Sequence, residues 1–310
     1  MLERDGVLAF IESCRLPEAG PGCYRYSLST TRPTLYSSCY AAMSRDLLSD
    51  LDVVPVSERE AWAAYLNEHQ DEDGLYRDPV IFRQGWYEGD PLWCGRPHLT
   101  CHVVTALACL GFGTRLPLGF LEPWKEAGFL ERWLSQRDWG ERVAFSGNEI
   151  MNIGVLLQYA RDFHGDSRAG AAVESIIAWL EGHHLDPATG VWGAVDVGEP
   201  LWRSQAVQAA YHWWPLWSYD GLSFPFVRRA VDTVLATQNA AGGFGWGGAQ
   251  SGGSAGEQRL RGHRFHRAAG ADARADELPL RGGAGGFVPG GRLGAEQSDP
   301  RRWLRLFSRP

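Results

Sequence analysis

The sequence contains no apolar run long enough to cross a bilayer. Its most apolar stretch, CHVVTALACLGFG (101–113), is much shorter than the ~20 residues that a membrane-spanning helix needs. The first residues, MLERDGVLAFIESC, place charges on both sides of a short apolar stretch and do not predict a secretory signal. We expect no transmembrane segment, and peripheral contact with a membrane stays open as an alternative.

Cysteine is absent after Cys109, and the six cysteines up to that point lack the spacing of small disulfide-bonded domains. In a chain of 310 residues they predict reduced thiols and a cytoplasmic protein. The chain also lacks a Gly-rich phosphate loop and a Ser-His-Asp elbow. GGFGWGG (242–248) follows a helical pattern rather than a strand, so it does not predict a nucleotide site.

Positive charge is scarce in most of the chain. Residues 1–247 carry 19 Arg and Lys against 31 Asp and Glu, a net charge of −12. Residues 248–310 carry 11 Arg against 6 acids, a net charge of +5. An acidic body argues against a nucleic-acid groove. The length and the 44% hydrophobic content allow one large domain or two small ones with a sizeable core.

One turn pattern recurs along the acidic body. Its copies are QDEDGLY (70–76), a degraded SQRDWGE (135–141), HLDPATGVW (184–192) and QNAAGGFGW (238–246). Their anchors, Gln70, Gln136, His184 and Gln238, recur at comparable separations along the chain. Gly just past a helix end accepts a left-handed conformation, and a Gln amide can both donate and accept. The pattern therefore predicts a clip, a turn in which Gln ties one helix end to the next segment.

Each turn follows a helix with one apolar face and precedes a helix that is apolar on most sides. The predicted outer helices are 57–69, 120–135, 168–183 and 224–238. The predicted inner helices are 35–48, 98–111, 147–162 and 202–217. We therefore predict an all-α protein, an α/α toroid, with 1–33 as a lead-in, 34–247 as the repeats and 248–310 as a tail.

The turns and the helix RPHLTCHVVTALACLG (96–111) resemble the QW-type repeats of squalene–hopene cyclases and related triterpene cyclases. Protein prenyltransferase β subunits share the α/α toroid. The resemblance covers 34–247 and implies a hydrophobic small-molecule substrate, an isoprenoid. It also implies acid-initiated cyclisation in the intact ancestor of this chain.

Cyclases of this kind protonate an alkene with an Asp-x-Asp-Asp motif, which is missing here. The nearest carboxylates in the sequence are Asp71 and Asp73, for which turn formation in solvent is the alternative explanation. Glu149 is the better candidate acid, because a carboxyl group among apolar walls has a raised pKa. Helix capping is the alternative explanation for Glu149.

Cys94, His98, Cys101 and His102 are residue types that bind zinc, and the last three share one side of a predicted helix. Prenyltransferase β subunits bind zinc through Asp, Cys and His from separated positions, but their Asp-x-Cys element is missing here. Packing of buried Cys and His is the alternative. We predict no cofactor, with Zn or Mg as the weaker alternative.

Polar and aromatic side chains on the last two inner helices are the candidate substrate-binding residues. They are Asn152, Arg203, Tyr211, His212, Trp213 and Trp217. Polar groups that face the bore of a toroid need partners or ligands, and aromatic rings stabilise cations. Core packing explains the two Trp residues equally well.

Residues 248–310 lose the features of the body, with no Tyr but 13 Gly and 11 Arg. Such a composition predicts disorder. Permitted codons for EQRLRGHRFHR (257–267), read one base later, encode SSACEDIDSI, which would suit an inner helix. The same shift permits TSYRYEEV from DELPLRGGA (276–284) and RTPGGGFVFS from SDPRRWLRLFS (298–308). Three matches in repeat order predict a one-base frameshift between about Gly247 and Glu257.

Two other functional classes stay open. A carbohydrate-active α/α toroid, a glycosidase or polysaccharide lyase, would use carboxylates and aromatic platforms. A non-catalytic scaffold is the third hypothesis. A chain without its closing repeats is expected to be inactive and to expose an apolar face that favours association.

Overall fold

The computed structural model describes residues 3–82, 89–239 and 242–244. The α-helices in these ranges are α1 (Arg4–Ser13), α2 (Leu35–Leu47), α3 (Val56–Asn67), α4 (Pro79–Phe82), α5 (Arg96–Leu110), α6 (Ala127–Ser135), α7 (Val143–His164), α8 (Ser167–Gly182), α9 (Pro200–Asp220) and α10 (Val227–Leu235). Two 3-10 helices, Pro17–Ala19 and Gly119–Lys125, accompany them. The described ranges contain isolated β-bridges but no strand, so the all-α prediction is confirmed.

All eight predicted helices are present with bounds within a few residues of the prediction, and one of them is divided. The outer helix predicted at 120–135 consists of the 3-10 helix Gly119–Lys125 followed by α6, with Glu126 in extended conformation between them. Pro123 lies inside the 3-10 helix, three residues before the break. Helix α1 lies in the segment predicted only as a lead-in, and Ile11 enters the core.

The four helices predicted as inner, α2, α5, α7 and α9, pack in chain order, each on the next. The helices predicted as outer pack against this series, with α3 on α5, α8 on α7 and α10 on α9. Helix α5 buries 11 of its 15 residues, whereas α3 buries 3 of 12. This contrast agrees with the predicted alternation of enclosed and one-faced helices.

Glycine allows α7 and α9 to approach closely. A Cβ atom on Gly147 would lie 2.7 Å from Cα of Ala209, a backbone atom that cannot move aside. A Cβ atom on Gly154 would lie 2.9 Å from the side chain of Leu216. The close spacing of α7 and α9 therefore requires glycine, which has no side chain, at positions 147 and 154.

No helix within the described ranges is both long enough and apolar enough to span a membrane. The predicted tail, 248–310, lies outside the described residues.

Three of the predicted turns close in the same way. Isolated antiparallel bridges join Gln70 to Tyr76, Leu185 to Trp192, and Gln238 to Phe244. Because each bridge ends at the aromatic residue after the Gly, the turns are structural equivalents as well as sequence repeats.

The first turn forms the predicted Gln clip. Gln70 is buried, and its Nε2 donates to the carbonyl oxygens of Gly74 and Leu116 at 3.0 Å each. Its Oε1 accepts from the Leu116 amide at 2.8 Å. One side chain thus joins the turn after α3 to the segment after α5.

The other Gln anchors have exposed side chains. Gln238 is exposed, and its Nε2 donates to the Gly242 carbonyl within the same turn at 2.8 Å. Gln136, in the degraded turn, is exposed as well. Burial of the amide therefore distinguishes the first clip from the last.

We expect Gln70→Ala to lower the free energy of unfolding by about 1–3 kcal/mol, because the partly buried Leu116 amide would lose its partner. Gln238→Ala should cost less than about 1 kcal/mol, since its amide is exposed. Urea midpoints at unchanged slope measure both effects. Equal midpoints in the two variants would show that the clip does not stabilise the first turn.

Candidate functional site

Side chains of the four inner helices form two groups of contacts, one between α2 and α5 and one on α7 and α9, which we together call the inner cluster. Its members are Tyr36 and Tyr40 of α2, His98 and His102 of α5, Asn148 of α7, and Tyr211 and His212 of α9. Only Tyr211 and His212 in this group were predicted as substrate-binding residues, and His98 and His102 were predicted only as weak metal ligands.

The α2–α5 half of the cluster consists of two Tyr–His pairs. The Tyr36 hydroxyl lies 2.7 Å from Nδ1 of His98, and the Tyr40 hydroxyl lies 3.4 Å from Nε2 of His102. The two imidazole centroids are 4.6 Å apart. Residues four apart lie on one face of a helix, so each helix contributes both of its side chains to the same side.

The α7–α9 half is a chain of amides that ends on an imidazole. Nδ2 of Asn148 lies 3.1 Å from Nε2 of His212, and the rings of Tyr211 and His212 are 4.0 Å apart. Nδ2 of Asn152 donates to Oδ1 of Asn148 at 2.8 Å and to the Leu92 carbonyl at 2.7 Å. Asn152, predicted to contact substrate, is fully buried and supports Asn148.

Backbone carbonyls fix the tautomers of two imidazoles. Nδ1 of His102 lies 2.9 Å from the His98 carbonyl, and Nδ1 of His212 lies 2.6 Å from the Gln208 carbonyl. A carbonyl oxygen only accepts, so Nδ1 carries the proton in both rings. In the neutral rings Nε2 is then an acceptor, which suits the donors supplied by Tyr40 and Asn148.

All three imidazoles are held neutral. Burial lowers the pKa of His98 to about 3, with His102 and His212 contributing further. Burial lowers the pKa of His212 to about 4 against the opposing bond to Gln208, and it also lowers the pKa of His102. Since His212 contributes to the lowered pKa of His98, the two halves of the cluster influence each other electrostatically. The cluster is therefore aromatic, weakly polar and uncharged at neutral pH.

We expect the free energy of unfolding to fall as the pH drops from about 6.5 to 4. An unfolded His binds its proton near pH 6.5, whereas folded His98 and His212 stay neutral down to about 3 and about 4. Between these values the unfolded state binds more protons, so acid favours it. His212→Gln should flatten the dependence of the urea midpoint on pH. The control His183→Gln, at an exposed position, should keep the full dependence, and equal slopes in all three proteins would contradict the account.

The carboxylates predicted in the first turn form a structural ion network. Nη1 of Arg96, at the start of α5, lies 2.9 Å from Oδ2 of Asp71 and 3.0 Å from Oδ2 of Asp73. Asp71 also accepts from Nε of Arg77 at 2.9 Å. These bonds tie the turn to α5 rather than to the inner cluster, which supports turn formation as the role of both carboxylates.

Glu149 is part of an ion pair. Its Oε2 lies 2.6 Å from Nη1 of Arg137, and both side chains are about one-fifth exposed. This charged partner does not match the apolar walls that the candidate-acid prediction assumed. Glu149 as a catalytic acid therefore gains no support from its surroundings.

The candidate zinc ligands point in different directions. Cys101 is buried and its Sγ donates to the Asn152 carbonyl at 3.4 Å, so it faces α7, whereas His98 and His102 face α2. Burial raises the pKa of the Cys94 thiol to about 12, which disfavours the thiolate that a metal needs. Among the described residues, no group of three or more His, Cys, Asp or Glu is placed to hold a metal ion.

Three further predicted substrate residues have structural contacts. Trp213 and Trp217 are 0% and 1% exposed and pack with Trp192 at centroid distances of 5.1 and 5.7 Å. Contact with a substrate would require the core to open, so packing accounts for both. The guanidinium of Arg203 donates to the carbonyls of Val197 and Ala236 at 2.8 and 3.2 Å.

Two surface depressions lie elsewhere. One of about 470 Å³ is lined by charged residues that include Arg161, Asp162 and Asp220. Another of about 300 Å³ lies beside Arg203 and Thr233. Neither is lined by a member of the inner cluster.

Sequence reasoning missed Tyr36, Tyr40 and Asp78. The two Tyr residues could have been found from their spacing, because they are four residues apart on a predicted inner helix, as His98 and His102 are. Asp78 is fully buried and accepts from backbone amides of both α2 and α4. The sequence shows only an acid before a Pro, a common way to start a helix.

No protein-family model matches this chain, and no curated protein or solved structure matches it.

Proposed function

We propose that this chain is an incomplete α/α toroid whose inner helices bind a neutral isoprenoid hydrocarbon. The observation that carries the proposal is the inner cluster, in which Tyr, His and Asn side chains of successive inner helices contact one another, α2 with α5 and α7 with α9. A toroid brings its inner helices around a common bore, and the packing of α2, α5, α7 and α9 in chain order supports that arrangement. The repeated turns between the helix pairs support it as well.

The chemistry of the cluster favours a hydrocarbon over a diphosphate. Its members are Tyr, His and Asn, and none is Arg or Lys. The lowered pKa values of His98 and His212 leave these rings uncharged at neutral pH. Ring faces attract cations, and a neutral imidazole can accept a proton from a carbocation. Tyr40 and Tyr211 are 40% and 52% exposed, which makes them accessible to a ligand.

An initiating acid is not supplied by the carboxylates that the sequence suggested. Asp71, Asp73 and Glu149 all pair with arginine. The shifted reading frame would add EDIDS, with carboxylates near an inner-helix start, but this chain does not contain it. We therefore propose binding without cyclisation for this chain, and acid-initiated cyclisation for its intact ancestor.

The carbohydrate-active alternative has less support. A sugar platform needs an exposed aromatic face beside paired carboxylates. Every Trp in the described ranges is buried or half-buried, and the carboxylates of the first turn are tied to arginine. Neither feature suits a polysaccharide groove.

Binding of radiolabelled squalene, measured by partition between protein and detergent micelles, tests the proposal. We expect saturable binding that Tyr40→Ala and His102→Ala each weaken about tenfold, through lost contact with the chain. The control His183→Ala changes an exposed His that is outside the cluster and should bind as wild type does. Farnesyl diphosphate should compete poorly, since the cluster is uncharged. Unchanged binding in all variants, or binding of a xylan oligosaccharide instead of squalene, would contradict the proposal.

A further inference from the structure

Helix α10 carries an apolar stripe that nothing in the described chain covers. Val227, Val231 and Leu235 are 54%, 51% and 55% exposed. They are spaced every fourth residue and therefore share one face of the helix. We call these three residues the α10 stripe.

Two of the three equivalent positions in the preceding repeat are buried, and the third, Glu181, is exposed. The anchors His184 and Gln238 align Val173 with Val227 and Ile177 with Val231, and Val173 and Ile177 are only 1% and 8% exposed. The aromatic residues of the turns show the same contrast. Tyr76 and Trp192 are 0% and 1% exposed, whereas Phe244 is 55% exposed.

The surroundings of Ile177 indicate what is missing at Val231. Ile177 lies beside Asp220 and Leu222, at the end of α9, the inner helix that follows α8. Val231 is at the equivalent position of α10 and would face the inner helix that follows α10. The described chain ends at Phe244, before such a helix.

The length of chain beyond that point fits one more repeat. The stretch from Phe244 to Pro310 is as long as the stretch from Gln70 to Gln136, which holds one complete repeat. In the shifted frame the next Gly-Gly-Phe turn falls within 298–308, and SSACEDIDSI precedes it at the place of an inner helix. In the frame of this chain the same codons encode a sequence rich in Gly and Arg, in which apolar residues do not recur at helical spacing.

We propose that the α10 stripe is the docking surface for the next helical repeat, which the gene encodes one base out of the frame of this chain. The occupant is the inner helix that begins SSACEDIDSI, followed by the outer segment TSYRYEEV. The exposure of the stripe comes from the fold, and the shifted-frame repeat comes independently from the amino-acid sequence, whose residues permit codons that encode it one base later. The proposal does not depend on isoprenoid binding.

The test compares this full chain with a frame-restored chain made by a one-base change between codons 247 and 257, each with and without Val231→Asp. In this chain the substitution should shift Tm by less than about 2 °C, because the side chain is already exposed. In the restored chain it should lower Tm by about 5 °C or more, because it would bury an unpaired charge. Arg229→Asp, an exposed position on another side of α10, is the matched control and should change both chains little.

Three results would overturn the proposal. An equal effect of Val231→Asp in both chains would mean that the restored residues do not cover the stripe. Dissociation of a dimer of this chain by Val231→Asp, seen by sedimentation, would make a second copy the occupant. Genomic codons that do not encode SSACEDIDSI one base out of frame would remove the occupant without any need for expression. Failure of squalene binding in either chain would affect only the proposed function.

Discussion

Asp78→Ala is expected to lower the free energy of unfolding by about 3 kcal/mol or more. The carboxylate is fully buried, and its Oδ2 accepts from the Leu35 amide at 2.6 Å. Its Oδ1 accepts from the amides of Val80 and Ile81 at 2.8 and 3.1 Å. One side chain therefore satisfies the first turns of two helices, α2 and α4, which have no other way to pair these N–H groups within the helix.

Urea unfolding of Asp78→Ala and of a matched turn variant, Asp138→Ala, measures the effect. Asp138 is exposed and accepts from the Gly140 amide at 2.9 Å, so its loss should cost less than about 1 kcal/mol. Asp78→Asn keeps the shape and one acceptor and should fall between wild type and Asp78→Ala. Because α2 carries Tyr36 and Tyr40, Asp78→Ala should also weaken squalene binding. Wild-type stability of Asp78→Ala would show that water replaces the carboxylate at both helix starts.

Gly147→Ala is expected to destabilise the protein by about 1–3 kcal/mol through overpacking between α7 and α9. The new Cβ would lie 2.7 Å from Cα of Ala209 and 3.0 Å from its carbonyl oxygen. Both are backbone atoms, so relief requires the helices to separate. Separation would also lengthen the contact between Asn148 and His212, which links this packing to the inner cluster.

Gly128→Ala in α6 is the control for Gly147→Ala. The nearest atom to its new Cβ is the flexible guanidinium of Arg132 at 3.5 Å. A helical Gly with free space gains about 0.4–1 kcal/mol on replacement by Ala, because the unfolded chain loses entropy. The two substitutions should therefore shift the thermal midpoint in opposite directions. A stabilising Gly147→Ala would contradict the close approach of α7 and α9.

The helices followed directly from the sequence. Apolar residues at three- and four-residue spacing and Gly after each helix specify where helices begin and end, and these local signals do not need tertiary contacts. The split at Glu126 shows the limit of that approach, because a continuous apolar pattern concealed the break.

The inner cluster could not be derived from the same signals. Residue type suggested Trp213 and Arg203 as substrate-binding residues and Glu149 as an acid. Their roles depend on partners that sequence spacing does not reveal, such as Arg137 for Glu149. The partners of His98 depend on which face of α5 meets α2. Helical spacing specifies a face, but the neighbour of that face is set by the packing of the whole chain.

Photo-cross-linking with a diazirine analogue of squalene, followed by peptide mapping, tests the central claim most directly. We expect adducts on Tyr40, His102 and Tyr211, on three inner helices, and loss of these adducts when unlabelled squalene is added. Adducts confined to the depression lined by Arg161, Asp162 and Asp220, or labelling that unlabelled squalene does not reduce, would contradict it.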